Sequence, residues 1–301
     1  MLNKLLSALL YYLVILPVSS LPFFLLYRIS DVLFFIFYYL IRYRRKVIHG
    51  NICRSFPDRS SKEQEKITRD FYSHFCDIIV ESLKIFTISR EQVRERMKFE
   101  NPELINRYFE QGRSVILAGG HYNNWELFAV AIDEAIRHKS IAIYKPLSNS
   151  FFDEKMRKTR GKYGLHMIPI KEVKKEFEER KQELTTMIFG TDQSPGNVNK
   201  AYWMHFLNQE TAVLFGTERF AVEYNYPVVY GCIHKVSRGH YRVEFKVVTD
   251  DPASTAYGEI TSRHTRLLEE DILRKPEFWL WSHRRWKKKR PAHIEIREHV
   301  Y

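Results

Sequence analysis

A short apolar run that stops at two glycines is the feature that most constrains the fold of this chain. Residues 115–118 predict a buried strand, and Gly119 and Gly120 break it directly before His121. A chain that restarts as a helix after such a turn places a polar side chain at the mouth of a sheet. An imidazole at this position reaches solvent while its backbone stays fixed, which suits a base.

Glu126 follows His121 by five positions. Residues five apart on a regular helix point about 140° apart, so the two side chains meet only if His121 lies in the turn before the helix. A carboxylate on one ring nitrogen would then fix the tautomer and raise the basicity of the other. The spacing alone also fits a histidine near a helix start and a solvated glutamate.

Beyond this segment, β-rich runs alternate with helical ones. This pattern predicts an α/β fold with a mainly parallel central sheet flanked by helices. We predict strands at residues 114–119, 140–144, 166–170, 185–191, 226–233 and 241–248. We predict helices within residues 60–98 and at 123–137, 150–162, 171–183, 212–224 and 256–273. Arg238-Gly239 indicates a turn that joins the last two strands as a hairpin at one sheet edge.

Composition narrows the classes of partner. The chain has 301 residues, 45% of them hydrophobic, which is enough for one large domain with an appendage or for two domains. A formal charge of +12 suits an anionic membrane, an acidic protein or a nucleic acid. The sequence carries no nucleic-acid-binding signature, so we expect no nucleic acid partner. Three distant cysteines without C-x-x-C spacing indicate neither a zinc ribbon nor a disulfide framework.

The amino-terminal residues predict a membrane anchor. Residues 5–27 contain no charged side chain and could cross a bilayer as a helix kinked at Pro17 and Pro22. A second apolar run, residues 32–41, is too short to span but is rich in aromatics, which suits the interface. The cationic residues that follow suit anionic head groups on the cytoplasmic side: Arg42, Arg44, Arg45 and Lys46.

These observations divide the chain into an anchor with its basic flank, residues 1–46, and a main domain, residues 47–301. Two other interpretations of the amino terminus remain open. One is a cleaved signal peptide that ends near Ser19-Ser20, and the other is a buried helical hairpin of a soluble protein.

Near its other end the chain interleaves tryptophans with basic residues, over residues 279–290. Such a segment can stack on bases, bind phosphate or lie on a membrane. It also fits a solvated basic segment whose tryptophans pack inward.

Four local patterns occur in one order along the chain. They are His121-Tyr-Asn-Asn-Trp-Glu126; Tyr144-Lys-Pro-Leu-Ser-Asn-Ser-Phe-Phe-Asp153 with Arg157 and Arg160; Thr191-Asp-Gln-Ser-Pro195; and Pro276-Glu-Phe-Trp-Leu-Trp-Ser-His-Arg-Arg-Trp-Lys287. Together with the apolar start and Asn51-Ile-Cys-Arg-Ser-Phe-Pro57, the set resembles the lipid A biosynthesis late acyltransferases, the lauroyl and myristoyl transferases of Gram-negative bacteria. Each motif is weak, but the ordered set is specific.

The resemblance implies a bacterial inner-membrane enzyme whose catalytic domain, residues 47–301, faces the cytoplasm. Members of this family, which is grouped with the H-x4-D/E glycerolipid acyltransferases, transfer a fatty acyl chain from acyl-carrier protein to a hydroxyl of a lipid A precursor. They use no cofactor. On the matching motifs, the essential polar positions are His121, Glu126, Arg160 and Asp192. Candidate substrate-binding residues are Asn124, Lys145, Arg157, Gln193, His283, Arg284 and Arg285.

One position departs from the family. Many members carry arginine where this chain has Lys145, and lysine cannot form the same bidentate fork to a phosphate or carboxylate. This difference affects the head-group contacts, and therefore the acceptor, rather than the reaction class. A different membrane glycolipid or aminolipid, similar to phosphatidylinositol mannoside, is the alternative acceptor.

The residues themselves predict a mechanism. A lipid hydroxyl needs a base, and His121 would take its proton while Glu126 steadies the imidazolium. Arg160, or backbone N–H groups near Gly119 and Gly120, would stabilise the oxyanion. Arg157 and Arg160 are three apart, so they share a helix face that can meet phosphate.

Two other kinds of chemistry compete with this mechanism: a covalent acyl-enzyme and metal-dependent hydrolysis. The sequence lacks a G-x-S-x-G elbow for an acyl-enzyme and a second histidine at H-x3-H spacing beside His121, so we expect neither a covalent intermediate nor a metal. Asp192, at a strand end, would pair with Arg160 or hold the acceptor hydroxyl. Residues 212–222 would line an acyl channel or pack in the core. A non-enzymatic, membrane-tethered basic binding protein is the alternative from another class.

Overall fold

The computed structural model describes residues 2–297. Its first part is helical, with α1 at Leu2–Leu10, α2 at Leu16–Ser20, α3 at Phe23–Phe35, α4 at Arg45–Ser55, α5 at Ser61–Lys84 and α6 at Arg90–Arg96. Two π-helical turns belong to this part: Tyr11–Ile15 joins α1 to α2, and Ile36–Leu40 extends α3. The long helix α5 begins with a capping box, in which Ser60 and Glu63 each accept a hydrogen bond from the other's backbone N–H.

The uncharged run at residues 5–27 does not form one helix, which corrects the predicted spanning segment. Leu21 and Pro22 are extended, with ψ of 147° and 152°, because a proline disfavours the helical conformation of the residue before it. By length and composition, Phe23–Leu40 is the described helical stretch that could cross a bilayer, with a mean hydropathy of 1.6. The run at 32–41, predicted to be too short to span, is part of this longer helix.

The amino-terminal helices pack on α5 with one face and leave the other face apolar and exposed. On the packed side, Ser30 Oγ donates to Asp77 Oδ1 at 2.8 Å, and Lys84 Nζ donates to the Leu21 carbonyl at 2.9 Å. The exposed side chains of α1 to α3 include Leu5, Leu6, Leu9, Leu10, Leu13, Val14, Phe24, Leu25, Val32 and Phe35. A large exposed apolar surface next to a basic segment is typical of a membrane-docking element.

A seven-stranded sheet forms the centre of the main domain. The strands of the described chain are β1 (Met97–Phe99), β2 (Val115–Gly119), β3 (Lys139–Tyr144), β4 (His166–Pro169), β5 (Thr185–Gly190), β6 (Tyr202–Phe206), β7 (Gln209–Val213), β8 (Val228–Ser237) and β9 (His240–Thr249). The sheet order is β1-β9-β8-β2-β5-β3-β4, and β6 and β7 pair separately. All neighbours in the large sheet are parallel except β8 and β9. The predicted α/β class with a mainly parallel sheet is confirmed.

The remaining helices flank this sheet: α7 (Glu103–Glu110), α8 (Trp125–Ala135), α9 (Ser150–Arg160), α10 (Val173–Glu179), α11 (Gly216–Tyr224) and α12 (Glu259–Arg274). The predicted hairpin is present, with Gly239 at a φ of 76° in its turn. It does not lie at the sheet edge, because the unpredicted strand β1 pairs with β9. The predicted helix at 212–224 begins only at Gly216, because β7 ends at Val213.

Both faces of β2 are buried, which explains its continuous apolar sequence. Val115 and Leu117 pack in one hydrophobic cluster, and Ile116 and Ala118 pack in the cluster on the opposite face. This is the two-residue period of a strand covered by helices on both sides. The sheet is therefore a rigid support for the residues that follow each strand.

Candidate active site

Two neighbouring parallel strands bring His121 and Asp192 together. β2 and β5 pair in register until Gly119 lies opposite Gly190. His121 and Asp192 each lie two residues beyond these ends, so the two side chains meet at the carboxyl edge of the sheet. Gly190 lies beside the imidazole ring. A Cβ atom at this position would be 3.4 Å from Cε1 of His121, an ordinary contact distance.

The carboxylate of Asp192 is held by three donors. Its Oδ1 lies 2.6 Å from Nδ1 of His121, and its Oδ2 accepts the backbone N–H of His121 at 2.8 Å. The indole Nε1 of Trp279 donates to the same Oδ2 at 2.8 Å. A buried carboxylate with this many charge-assisted hydrogen bonds has a fixed orientation.

The pair favours an ionised Asp192 and a basic His121. Burial by itself would raise the pKa of Asp192, but the charge and N–H groups of His121, together with Trp279, hold it well below its usual range. Burial likewise opposes protonation of His121, but the Asp192 carboxylate outweighs it and raises the pKa of the imidazole. With Asp192 ionised, the proton on Nδ1 is donated to it, and Nε2 carries the lone pair.

Nε2 is the accessible side of this pair. The side chain of His121 is 24% exposed, whereas that of Asp192 is 3% exposed. The amide Nε2 of Gln193 lies 3.2 Å from Nε2 of His121, and Gln193 itself is exposed. The predicted substrate-binding residue Gln193 is therefore beside the ring nitrogen that would act as a base.

Glu126 does not contact Nδ1 of His121, which corrects the expected pairing. Its carboxylate accepts two hydrogen bonds from Arg160, from Nε at 2.8 Å and from Nη2 at 2.5 Å. Trp125 Nε1 donates a third at 3.2 Å. The reason is that Nδ1 is already taken by Asp192, while Glu126 lies in the first turn of α8 and faces the end of α9. The negative charge of Glu126 still helps to raise the pKa of His121, after the larger contribution of Asp192.

The segment after α12 completes the site by pairing with the histidine turn. Tyr122 and Trp279 form an antiparallel bridge, and the N–H of Leu280 donates to the carbonyl of His121 at 3.2 Å. Trp279 and Trp281 are 2% and 0% exposed, so these two tryptophans pack inward. The contact between Trp279 and Asp192 was not predicted; the presence of Trp279 in the last motif was the only hint of it.

The predicted residues of this last motif differ in exposure. Nε2 of His283 accepts the N–H of Ser194 at 3.1 Å, and Arg284 is exposed. Arg285 is buried, its Nη2 donates to the Ala212 carbonyl at 2.7 Å, and its Nε has no partner among the described residues. Burial lowers the pKa of Arg285 to about 10, against the opposing effect of Asp192.

The other predicted substrate-binding residues lie at the rim or inside the protein. Lys145 and Arg157 are exposed, after β3 and on α9 respectively. Asn124 is fully buried, and its side chain caps α8 by accepting the N–H of Leu127 at 2.8 Å. A contact between any of these residues and substrate remains a prediction.

The segment considered for an acyl channel is packed where it is described. Val213 belongs to a small cluster with Tyr202 and Met204. Phe220 stacks on Phe177 with ring centroids 4.7 Å apart. Within residues 2–297, no group of three or more His, Cys, Asp and Glu side chains is arranged to hold a metal ion.

Comparison with known proteins identifies the family of this chain. The family model described as bacterial lipid A biosynthesis acyltransferase matches residues 2–288. The chain belongs to this family. The chain is thus an acyltransferase of lipid A biosynthesis by family, and the matched region includes the apolar helices, the sheet and the Trp279 segment.

Curated relatives of this acyltransferase are distant but cover most of its length. A lipid A biosynthesis acyltransferase of Haemophilus influenzae is 21% identical over 246 residues, 81% of this chain and 78% of that protein. A lipid A biosynthesis palmitoleoyltransferase of Escherichia coli is 22% identical over 250 residues, 82% of this chain and 80% of that protein. A lipid A biosynthesis acyltransferase of Shigella flexneri matches at the same identity and coverage.

Proposed function

We propose that this acyltransferase moves a fatty acyl chain from acyl-carrier protein to a hydroxyl of a lipid A precursor, with His121 as the general base. The observation that carries the proposal is the 2.6 Å contact between Nδ1 of His121 and the buried Asp192. It leaves Nε2 as the basic nitrogen, on the side chain that remains accessible. A base with a pKa near neutral pH is suited to remove the proton of an alcohol during attack.

The reaction follows from this arrangement. Nε2 of His121 takes the hydroxyl proton as the acceptor oxygen attacks the thioester carbonyl. The tetrahedral intermediate collapses, the carbon–sulfur bond breaks, and the imidazolium returns the proton to the leaving thiolate. Asp192 keeps the ring oriented. It also stabilises the imidazolium that exists between the two proton transfers. The products are the ester and the free thiol of the carrier.

Arg160 is the side chain best placed to stabilise negative charge on the substrate. Its Nε and Nη2 are occupied by Glu126, which fixes the plane of the guanidinium. This leaves Nη1, for which the described residues provide no partner, to face an oxyanion or a substrate phosphate. We therefore assign Glu126 to the positioning of Arg160.

The surface charge supports an acidic donor and an anionic lipid. The basic segment after α3 and the basic segment after Trp279 are adjacent, because Arg44 Nη1 donates to the Ser282 carbonyl at 2.9 Å. Acyl-carrier protein is acidic, and steering between complementary charges raises association rates.

The apolar outer face of α1 to α3 would hold the enzyme at the lipid surface where the acceptor resides. The cations at residues 42–46 directly follow Phe23–Leu40. By the positive-inside rule they indicate the cytoplasmic side of the inner membrane. Acyl-carrier protein would meet the catalytic domain there.

The decisive experiment combines purified enzyme, acyl-acyl-carrier protein and a lipid A precursor in detergent micelles. We expect a product heavier by one acyl group, and we expect acyl-coenzyme A, offered as a control donor, to react much more slowly. An absence of product across donor chain lengths from C10 to C18 would reject the proposal. Lipid extracts of a deletion strain test the acceptor separately, since loss of a different glycolipid or aminolipid would assign another substrate to the same chemistry.

A further inference from the structure

A buried carboxylate, Glu81, joins the apolar helix α3 to the turn that precedes α8. Glu81 lies on α5 and is 4% exposed. Its Oε1 accepts the hydroxyl of Tyr27 at 3.0 Å, and its Oε2 accepts Asn124 Nδ2 at 2.6 Å and the hydroxyl of Tyr241 at 2.8 Å. Three elements that are distant in sequence therefore share one carboxylate.

Asn124 transmits this contact to the site. While its amide nitrogen binds Glu81, its amide oxygen caps α8 at the N–H of Leu127, 2.8 Å away. Asn124 follows His121 by three residues and precedes Glu126 by two. A shift of the Asn124 side chain would therefore displace both the base and the residue that holds Arg160.

The other end of the link belongs to the helix with the exposed apolar face. Tyr27 points toward Glu81, whereas Phe24 and Val32 of the same helix are 66% and 58% exposed. A lipid surface that holds those exposed side chains would also fix the angle at which Tyr27 meets Glu81.

Packing at this junction is incomplete. A small cavity is lined by Phe23, Glu81, Arg96, Asn124 and Leu127. Nε of Arg96 is buried and has no partner among the described residues. Buried donors are nearly always paired in a fully settled interior. The junction thus leaves a small space and one unpaired donor where α3, α5 and the turn before α8 meet.

We propose that Glu81 is a positioning residue that couples the seating of α3 in a lipid surface to the order of the His121 turn. Lipid contact fixes α3, Tyr27 then fixes Glu81, and Glu81 fixes the Asn124 cap from which α8 starts. The enzyme is consequently most active when α3 is held at a lipid surface. The kinetic part of this inference rests on the proposed acyl transfer, but the structural part does not.

The kinetic test compares three variants of the full chain. Glu81→Gln and Tyr27→Phe weaken the link, and Ser30→Ala is the matched control. Ser30 donates to Asp77 at 2.8 Å between the same two helices, and within the described chain it makes no hydrogen bond to α8. Activity is measured with the acceptor in phosphatidylethanolamine/phosphatidylglycerol vesicles and, separately, in detergent micelles.

We expect wild type and Ser30→Ala to be faster on vesicles than in micelles. Glu81→Gln should lose about tenfold in kcat on vesicles with KM unchanged for both substrates, since the misplaced turn affects the chemical step. Tyr27→Phe removes one hydroxyl and should lose the vesicle advantage while it keeps its micelle rate. A Glu81→Gln or Tyr27→Phe enzyme with an undiminished vesicle advantage would overturn the inference.

Amide hydrogen exchange tests the coupling without turnover. We expect the same vesicles, free of substrate, to slow exchange in peptides covering residues 121–130 of wild type and Ser30→Ala. In Glu81→Gln and Tyr27→Phe the slowing should disappear. No slowing in wild type, or equal slowing in Glu81→Gln, would reject the coupling. If instead wild type shows the slowing but transfers no acyl group, the proposed function fails while the coupling holds.

Discussion

The site contains two carboxylates at strand or helix ends, and their surroundings assign them different tasks. Asp192 is buried and accepts from His121 twice and from Trp279 once. Glu126 is bound side by side with Arg160, whose side chain is 22% exposed. A carboxylate that is hydrogen-bonded to an imidazole raises the pKa of that base, whereas one that is hydrogen-bonded to a guanidinium fixes the orientation of that cation. The difference separates proton transfer from charge stabilisation within one small site.

The largest expected effect is on the base itself. His121→Ala should lower kcat by about 10³–10⁴-fold, because no other described side chain replaces Nε2 as a general base. Steady-state acyl transfer measures the loss, and circular dichroism checks that the variant folds. Residual activity within tenfold of wild type would show that His121 is not the general base. The different roles assigned to Asp192 and Glu126 would then have no basis.

Asp192→Asn should follow, with a loss of about 10²–10³-fold in kcat, because the amide no longer favours the correct tautomer. The pH profile gives a sharper test. Activity rises as His121 loses its proton, and Asp192 raises the pKa of that group. The ascending limb of kcat/KM should therefore lie above pH 6.5 in wild type and move to lower pH in Asp192→Asn. An unmoved limb would contradict the assigned pair.

Glu126→Gln should lower kcat less, by about 10–100-fold, because Arg160 is misplaced but His121 keeps its hydrogen bond to Asp192. The limb of the pH profile should move only slightly. A double variant with Arg160→Gln should lose little more than the worse single variant, because the two side chains act as a unit. Additive losses, or a loss larger than that of Asp192→Asn, would reverse the roles of the two carboxylates.

Trp279→Phe removes one of the three donors to Asp192 and should lower kcat by about three- to tenfold, the value of one hydrogen bond of ~1 kcal/mol. The remaining carboxylate is more basic and attracts the His121 proton more strongly. The ascending limb should consequently move to higher pH, opposite to its shift in Asp192→Asn. A shift in the same direction would show that the indole acts by packing alone.

The smallest effect is expected far from the site. Ser60→Ala breaks the capping box of α5 and should reduce the free energy of unfolding by about 1 kcal/mol while kcat stays unchanged. Urea denaturation measures the first quantity and the acyl-transfer assay the second. A fall in kcat here would mean that losses in the other variants include a contribution from general destabilisation.

The sequence predicted the sheet well because β2, β3, β4 and β5 have local signatures. Their apolar runs end at or near a glycine or a proline, and β2, β3 and β4 are each followed by a helix. β1 was missed because three residues are too few to show a period. The pair β6 and β7 was missed because their connection, Leu207-Asn208, holds no glycine, although both residues have positive φ.

The structure brings the four predicted polar residues close together but does not pair them as expected. The motifs pointed to His121, Glu126, Arg160 and Asp192. We expected His121 to pair with Glu126, and Asp192 to pair with Arg160 or to hold the acceptor hydroxyl. Closeness in sequence favoured the first pair, whereas the parallel register of β2 and β5 decides the actual one. Strand order is a property of the whole sheet, so local spacing could not reveal it.

The position of Trp279 late in the chain determines the order in which the protein's parts are completed during synthesis. During synthesis α1 to α3 leave the ribosome long before residue 279, so the lipid-facing helices exist while the third donor to Asp192 does not. The nascent protein can therefore reach a bilayer before its catalytic centre is complete. The lipid-facing helices are therefore made first, and the hydrogen bond from Trp279 to Asp192 is added last.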